Sequence, residues 1–188
     1  MGLFVQAANR DRSTDAGSAG LRQYEGGSTA TPQNYIPMRN VGATGRAVSG
    51  RLIGSAVEGA DADIAKKLRL KPGASVVRID LLRHADRVPL CAATSWLPAR
   101  RFPDAARIYA ATKSMTKTLA HFGVRDYARQ ATRVAAAIVD SADALRLEIA
   151  PGRPILVVDS VDADGDDCPV LTTHARFAAD RLELVIET

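Results

Sequence analysis

The chain has 188 residues and a formal net charge of +4, and 46% of its residues are hydrophobic and 24% charged. This composition suffices for one globular core, and no run approaches the roughly 18 to 20 apolar residues of a membrane span, which excludes a transmembrane protein. The first residues have neither the basic segment nor the apolar run of a secretory signal, so we expect a cytoplasmic protein with no membrane partner.

The N-terminal part of the chain is predicted to be a linker. Residues 6–45 are rich in Gly, Ser, Thr, Asn and Gln and show no sustained apolar period. Such a segment cannot bury enough apolar surface to offset the entropy lost on ordering. We therefore divide the chain into a flexible linker over 1–45 and a folded domain over 46–188.

The domain alternates strand-like and helix-like patterns. Two strands are joined around residues 84–87, Ser114 is a predicted helix N-cap, and helices are predicted to end at Gly123 and at Pro151–Gly152. Hairpins joined by short turns favour an antiparallel sheet with helices on one side, which is an α+β domain. The predicted strands are 51–57, 75–82, 88–97, 127–139, 155–161, 170–177 and 182–186, and the predicted helices are 61–68, 104–111, 114–122 and a short one from 141.

Motifs of common enzymes and metal sites are absent from the sequence. The histidines and the two cysteines, Cys91 and Cys168, lack metal-ligand spacing, and no phosphate-loop, dinucleotide or hydrolase pattern occurs. The acidic turn 162–167 lacks the downstream glutamate of a calcium loop, which favours a solvated hairpin tip. We therefore predict neither a metal nor another cofactor.

Two arginines on strands are candidate anion ligands. Arg83 continues an apolar face of its strand, and Arg176 shares a face with His174. A cation at the edge of a buried face needs an anionic or hydrogen-bonding partner, from the protein or from a ligand. The alternatives are that Arg83 reaches water and that Arg176 pairs with Asp180 or Asp86.

Three further residues are candidates for a pocket that contains these arginines. Trp96, close to Thr94 in sequence, is either a core aromatic or a pocket wall. Ser114 offers a hydroxyl at a helix start, where backbone N–H groups favour an anion, or else it only caps that helix. Arginines that converge with such hydroxyls would form an anion pocket.

A series of short stretches in a fixed order carries a family resemblance. They are Gly50–Leu52, Leu82–Leu90, Thr94–Ala99, Arg101–Pro103, His121–Val124, Asp126–Tyr127, Thr132–Arg133, Pro151–Pro154 and Arg176–Val185. Together they resemble the UTRA effector-binding domain of HutC-subfamily GntR transcription regulators, most closely those that control phosphonate metabolism.

The resemblance implies a fold and a function. It implies the chorismate lyase fold, a central antiparallel sheet flanked by helices, and a homodimeric sensor without enzymatic activity. In such relatives a small anionic effector is held at positions that match Arg83 and Ser114. They bind DNA through an N-terminal winged helix-turn-helix, of which this sequence matches only a last wing strand at Gly2–Val5, so we expect little DNA binding by this chain alone.

Departures from the family pattern narrow the expected effector and leave two alternatives. Leu81, Ala93 and Leu171 stand where relatives that bind sugar phosphates carry a second arginine and acidic residues. We therefore expect a compact phosphonate, phosphate ester or other small anion. One alternative is a chorismate lyase-like enzyme, with Asp80 or Glu183 as the general acid. The other is a degenerate domain that binds no effector and acts as a dimerisation partner of full-length regulators.

Overall fold

The computed structural model describes residues 2–7 and 48–187. These residues form eight strands, four α-helices and one 3-10 turn. In chain order the elements are β1 (Gly2–Ala7), β2 (Val48–Gly59), α1 (Ala62–Lys67), β3 (Ser75–Ala85), β4 (Val88–Pro98), α2 (Ala105–Thr112), α3 (Met115–His121), β5 (Tyr127–Ile138), α4 (Ser141–Leu147), β6 (Pro154–Asp164), β7 (Pro169–Ala178), the 3-10 turn (Ala179–Arg181) and β8 (Leu182–Glu187).

Six of the strands form one antiparallel sheet in the order β2-β3-β4-β7-β6-β5. Helices α2 and α3 cover one face of this sheet, and α1 and α4 cover the other. We call these the α2–α3 face and the α1–α4 face. The predicted α+β class is confirmed, but the prediction of helices on one side only is wrong.

Helices are needed on both faces because the central strands are apolar on both sides. Leu81 and Leu82 are consecutive in β3, point to opposite faces and are both buried. Leu81 belongs to the main core, which also contains Phe102, Tyr109 and Leu119 of the α2–α3 layer. Each fully buried side chain of this size contributes about 1.5–3 kcal/mol.

Two smaller clusters fix the helices of the opposite face. Leu82 packs with Leu147 of α4, and Val76 packs with Ile64 and Leu68 at α1. The Asp61 side chain caps α1 by accepting a hydrogen bond from the Ile64 N–H at 2.8 Å. These contacts place α1 and α4 at separate positions on the sheet.

Local signals in the sequence predict most helix and turn positions correctly. Ser114 caps α3 as expected, and Gly123 follows that helix with φ of +85°. The β3–β4 hairpin closes through Asp86 and Arg87, whose φ angles of 50° and 70° are those of the two-residue turns favoured by the twist of a hairpin. Helix α4 ends earlier than predicted, because Glu148 already adopts the left-handed conformation, ahead of Pro151–Gly152.

Strands β1 and β8 form a separate two-stranded sheet. They pair antiparallel from Gly2↔Glu187 to Ala7↔Leu182, so β8 does not join the main sheet. Residues 2–7 lie inside the segment 1–45 and form a strand, at the place where Gly2–Val5 resembles a last wing strand. Residues 8–45 lie outside the described part of the chain.

Within the described residues no helix is both long enough and apolar enough to cross a membrane.

Candidate functional site

The predicted binding residues divide between the two faces of the sheet. Arg83 is paired with Cys91, whose side chain belongs to the core of the α2–α3 face. Ser114 begins α3 above that same face. The structure therefore places Arg83 and Ser114 on one side, while the remaining candidates, Thr94, Trp96, His174 and Arg176, lie on the other.

The backbone around Arg83 is shaped by a glycine and a tyrosine. Gly50 of β2 pairs with Arg83, and a Cβ at Gly50 would lie 3.5 Å from the Tyr109 hydroxyl oxygen. The Tyr109 hydroxyl, carried by α2, thus lies beside the strand pair that bears Arg83. A polar group of the helical layer is thereby brought close to the backbone that carries the half-buried Arg83.

Cys91, the β4 neighbour of Arg83, has a thiol that stays protonated. Burial raises the pKa of the Cys91 thiol to about 12, although Arg83 and Arg176 act in the opposite direction. The thiol is therefore neutral at physiological pH and contributes no negative charge near Arg83.

Hydroxyl groups gather at the start of α3. The Ser114 Oγ accepts a hydrogen bond from the Lys117 N–H at 3.3 Å, so the predicted capping is confirmed. The Thr116 and Tyr127 hydroxyl oxygens lie 2.9 Å apart. Because the Ser114 Oγ acts as acceptor in the cap, its own hydrogen can still be donated to a ligand.

On the opposite face, Arg176 is bound by the protein itself. Its Nε donates to Asp143 Oδ2 at 2.7 Å, and its Nη1 donates to Thr94 Oγ1 at 3.2 Å and to the His174 carbonyl oxygen at 2.9 Å. The predicted alternatives, pairing with Asp180 or with Asp86, are wrong, because α4 brings Asp143 onto this face. Burial opposes ionisation of Asp143, but hydrogen bonds from Arg176 and Arg146 outweigh it and lower its pKa.

His174 and Trp96 are also engaged in internal contacts. His174 Nδ1 lies 3.0 Å from Asp159 Oδ1, which also accepts from Lys67 Nζ at 3.2 Å. The Trp96 Nε1–H donates to Glu58 at 3.0 Å. The contacts of the α1–α4 face are those of a structural polar network that holds α1, α4 and the sheet together.

Two site-facing hydroxyls were not selected by sequence reasoning. Ser95 Oγ and Thr173 Oγ1 lie 2.9 Å apart on the α2–α3 face, the side that bears Arg83. Sequence reasoning selected their neighbours Thr94 and His174, which point the other way. The signal that could have identified Ser95 is its phase in β4, since it alternates in step with Ala93 and Cys91.

A pocket of about 400 Å³ opens between the edge strand β2 and helix α2, apart from Arg83 and Ser114. The ion pair between Arg107 and Asp104, at 3.1 Å, lies at its rim. Its apolar lining consists of Leu52, Ala56, Val57, Val77, Pro103, Ala106 and Ala110. It is a groove of small and branched side chains with no net charge.

The acidic turn between β6 and β7 closes on itself. Asp164 Oδ1 accepts from the N–H groups of Asp166 and Cys168, and its Oδ2 binds Arg101 at 2.6 Å. The hairpin tip is confirmed at 164–168, but Asp162 is buried and paired with Arg129 at 2.7 Å. In the described ranges, no cluster of three or more His, Cys, Asp or Glu side chains could hold a metal ion.

Comparisons with known proteins assign the chain to a family. The UTRA domain model matches residues 43–183. An uncharacterized HTH-type transcriptional regulator of Rhizobium meliloti is 35% identical over 150 residues, which cover 80% of this chain and 62% of that protein. The chain therefore spans less than two thirds of the length of this curated relative.

Solved structures share the fold at low sequence identity. One is the ligand-binding domain of a protein assigned to the GntR family of transcriptional regulators in Bordetella bronchiseptica, with a TM-score of 0.68, 24% identity, and coverage of 75% of this chain and 92% of that one. Another is the effector domain of PhnF from Mycobacterium smegmatis, with a TM-score of 0.67, 21% identity, and coverage of 76% and 87%. At these identities the likeness establishes the fold.

Proposed function

The chain belongs to the UTRA domain family, and from this we propose that it is the effector-sensing part of a GntR-type transcription regulator and binds a small anion at Arg83. The observation that carries the proposal is the location of Arg83 and the start of α3 on the same face of the sheet. The other predicted arginine, Arg176, lies on the opposite face, where it pairs with Asp143.

Arg83 and Ser114 supply complementary chemistry for an anion. A guanidinium can donate two parallel hydrogen bonds to a phosphonate, phosphate or carboxylate. The hydroxyl of Ser114 donates a further hydrogen bond while its oxygen still caps α3. An anion held in this way would link β3 to the helical layer.

The size and charge of the effector follow from the apolar neighbours. Leu81, Ala93 and Leu171 are all buried and bring neither a second cation nor an acid to this face. A sugar phosphate that needs two arginines, or an amino sugar that needs acidic partners, would have polar groups left unpaired against such side chains. We therefore propose a compact phosphonate or phosphate ester as the effector.

We further propose a cytoplasmic homodimer in which two copies meet at strand β5. It is one of the two edge strands of the sheet, is exposed over most of its length and ends at Ile138, which is 68% exposed. An unpaired edge with small side chains can accept a second strand. In this proposal DNA is bound through a winged helix-turn-helix that accompanies the domain in the whole regulator.

The contacts of the candidate acids favour binding over catalysis. An enzyme of the chorismate lyase type would need a general acid near Arg83. Asp80 lies on the α1–α4 face and accepts a hydrogen bond from Arg78 at 3.1 Å, and Glu183 belongs to β8, outside the main sheet. We therefore propose that the domain is not an enzyme.

The test is ligand-dependent stability of the purified chain. Thermal unfolding is followed with methylphosphonate, inorganic phosphate and glucosamine 6-phosphate, for the wild type, Arg83→Ala and Arg78→Ala. A ligand that binds only the native state raises its stability by RT ln(1 + [L]/Kd). We expect stabilisation by methylphosphonate that is lost in Arg83→Ala and kept in Arg78→Ala, whose side chain belongs to the same strand but the opposite face.

Two results would contradict the proposal. Equal stabilisation of the wild type and Arg83→Ala would show that the anion binds elsewhere. A silent panel, together with recovery of mixed dimers with a full-length relative, would favour the degenerate dimerisation partner.

A further inference from the structure

We propose that Ser95, Thr173 and Ser160 form a second ligand subsite, which recognises a neutral hydroxyl group on an anion held at Arg83. The proposal rests on the proposed function and narrows its ligand class to hydroxylated alkylphosphonates or phosphate esters. The three residues lie on adjacent strands of the α2–α3 face.

The strand register brings the three hydroxyls into one row. Ser95 of β4 pairs with Thr173 of β7, and Thr173 pairs with Ser160 of β6. Directly paired residues of an antiparallel sheet point to the same face. The row begins next to the fully buried Ile79 and continues to Thr132 on the edge strand β5, so it runs from the core to the open side of the sheet.

The row has unused hydrogen-bonding capacity. Ser95 and Thr173 share one hydrogen bond of 2.9 Å, which uses one of their two hydroxyl hydrogens. Ser160, which is 4% exposed and pairs with Thr173, adds a third hydroxyl to the row. A hydroxyl that has already formed one hydrogen bond can still donate or accept another. A ligand hydroxyl, which both donates and accepts, matches this set.

The side chains between Arg83 and the hydroxyl row are small. Ala93 and Ala175 pair with each other and lie on the same face, between the Arg83–Cys91 pair and the Ser95–Thr173 pair. Cys91 and Ser95 are four residues apart in β4, which is about 13 Å along the strand. The long Arg83 side chain can cover part of this distance, so a chain of about three to five carbons would join the anion to the hydroxyl.

Charge selects a neutral group over an ammonium group. The Ser95, Thr173 and Ser160 side chains carry no charge. Asp162, the next residue of β6 on this face, pairs with Arg129 through Oδ1 at 2.7 Å, while its Oδ2 is buried without a hydrogen-bond partner in the described residues. Because the Arg129–Asp162 pair carries no net charge, the subsite favours a hydroxyl group over an ammonium group.

The test compares ligands that differ only by the hydroxyl. Propyl-, butyl- and pentylphosphonate and their terminally hydroxylated counterparts are titrated calorimetrically into the wild type, Ser95→Ala, Thr173→Val and Thr173→Ser, with methylphosphonate as the anion-only probe. For the best chain length we expect the hydroxylated ligand to bind the wild type about 5- to 10-fold more tightly, the effect of one net hydrogen bond. The ratio should fall below about twofold in Ser95→Ala and Thr173→Val and persist in Thr173→Ser.

Thr94→Val is the matched control, because it removes a hydroxyl from the same strand on the opposite face, and it should keep the wild-type ratio. Affinity for methylphosphonate should be unchanged in every variant that folds by circular dichroism. A ratio near one in the wild type, or a ratio unaffected in both Ser95→Ala and Thr173→Val, overturns the subsite. If methylphosphonate still binds in an Arg83-dependent way, the proposed function survives that result; if no phosphonate binds, both fail.

Discussion

Arg181 donates a hydrogen bond from Nη1 to the carbonyl oxygen of Leu147, at 2.7 Å, and so closes the C-terminal end of α4. The same guanidinium reaches the carbonyl oxygens of Glu148, at 3.1 Å, and of Pro89 at the start of β4. The side chain therefore joins the last turn of a helix, the β3–β4 hairpin and the segment that leads into β8. Helix C-termini leave carbonyl groups without partners, and a cation there also complements the helix dipole.

We expect Arg181→Ala to destabilise the domain by about 2–3 kcal/mol, because charged hydrogen bonds to several carbonyls are lost together. Urea unfolding followed by circular dichroism gives the free energy. Arg153→Ala is the control. Arg153 is exposed, and its ion pair with Asp180 is long, at 3.5 Å, so its loss should cost less than about 0.5 kcal/mol. Equal stabilities of the two variants would contradict this role for Arg181.

The Arg176–Asp143 pair should matter for stability and little for anion binding. Their side chains are 11% and 6% exposed. Arg176→Ala leaves the buried Asp143 carboxylate with only the more exposed Arg146, at 2.9 Å, so we expect a loss of about 2 kcal/mol. Methylphosphonate affinity, measured by calorimetry below the unfolding temperature, should stay within about twofold of the wild type because the pair lies on the other face. A selective loss of ligand affinity with intact stability would place the anion site on the α1–α4 face.

Stability should fall in acid, partly through Asp143. Its partners lower its pKa below the ordinary value of 3.8, so its contribution is fully present above pH 3.8 and is lost as the pH falls through the folded value. Asp159, bound to His174 and Lys67, also has a lowered pKa and adds to the same trend. In Asp143→Asn, urea unfolding between pH 5 and pH 2.5 should show a shallower decline than in the wild type; an identical slope would refute the assignment.

The two cysteines should differ sharply in reactivity. Cys168 is exposed, whereas Cys91 is buried and has a pKa of about 12. A thiol-reactive chromophore at pH 8 should modify one cysteine per native chain, and the second only after unfolding. Cys168→Ser should then show no fast reaction, and rapid modification of both thiols would mean that the core beneath α2 and α3 opens readily.

Local features of the fold were predictable from the sequence, and the distribution over two faces was not. The cap at Ser114 and the turn at Asp86–Arg87 depend on residues close in sequence, so the local sequence indicates them. The face on which a side chain lies depends on which strands are neighbours and on helices that pack from afar. For that reason the sequence groups Thr94 and Arg176 with Arg83, although Arg176 donates to Asp143 of α4 and to Thr94 on the opposite face.

The pairing of β1 with β8 was beyond local inference for the same reason. Nothing near Gly2–Ala7 indicates a partner at Leu182–Glu187, because the two segments are separated by almost the whole chain. The resemblance to a last wing strand at Gly2–Val5 agrees with the observed strand conformation. Its origin in a DNA-binding wing stays a prediction.

The β1–β8 pairing also sets an order of events during biosynthesis. β1 leaves the ribosome first among the described elements, and β8 leaves last, so the small sheet closes only after all strands of the large sheet have been made. Closing so long a loop costs much less entropy once the intervening chain has already folded and brought its ends together. We therefore expect the β1–β8 sheet to form last, and a chain cut short before Leu182 would leave β1 without its partner strand.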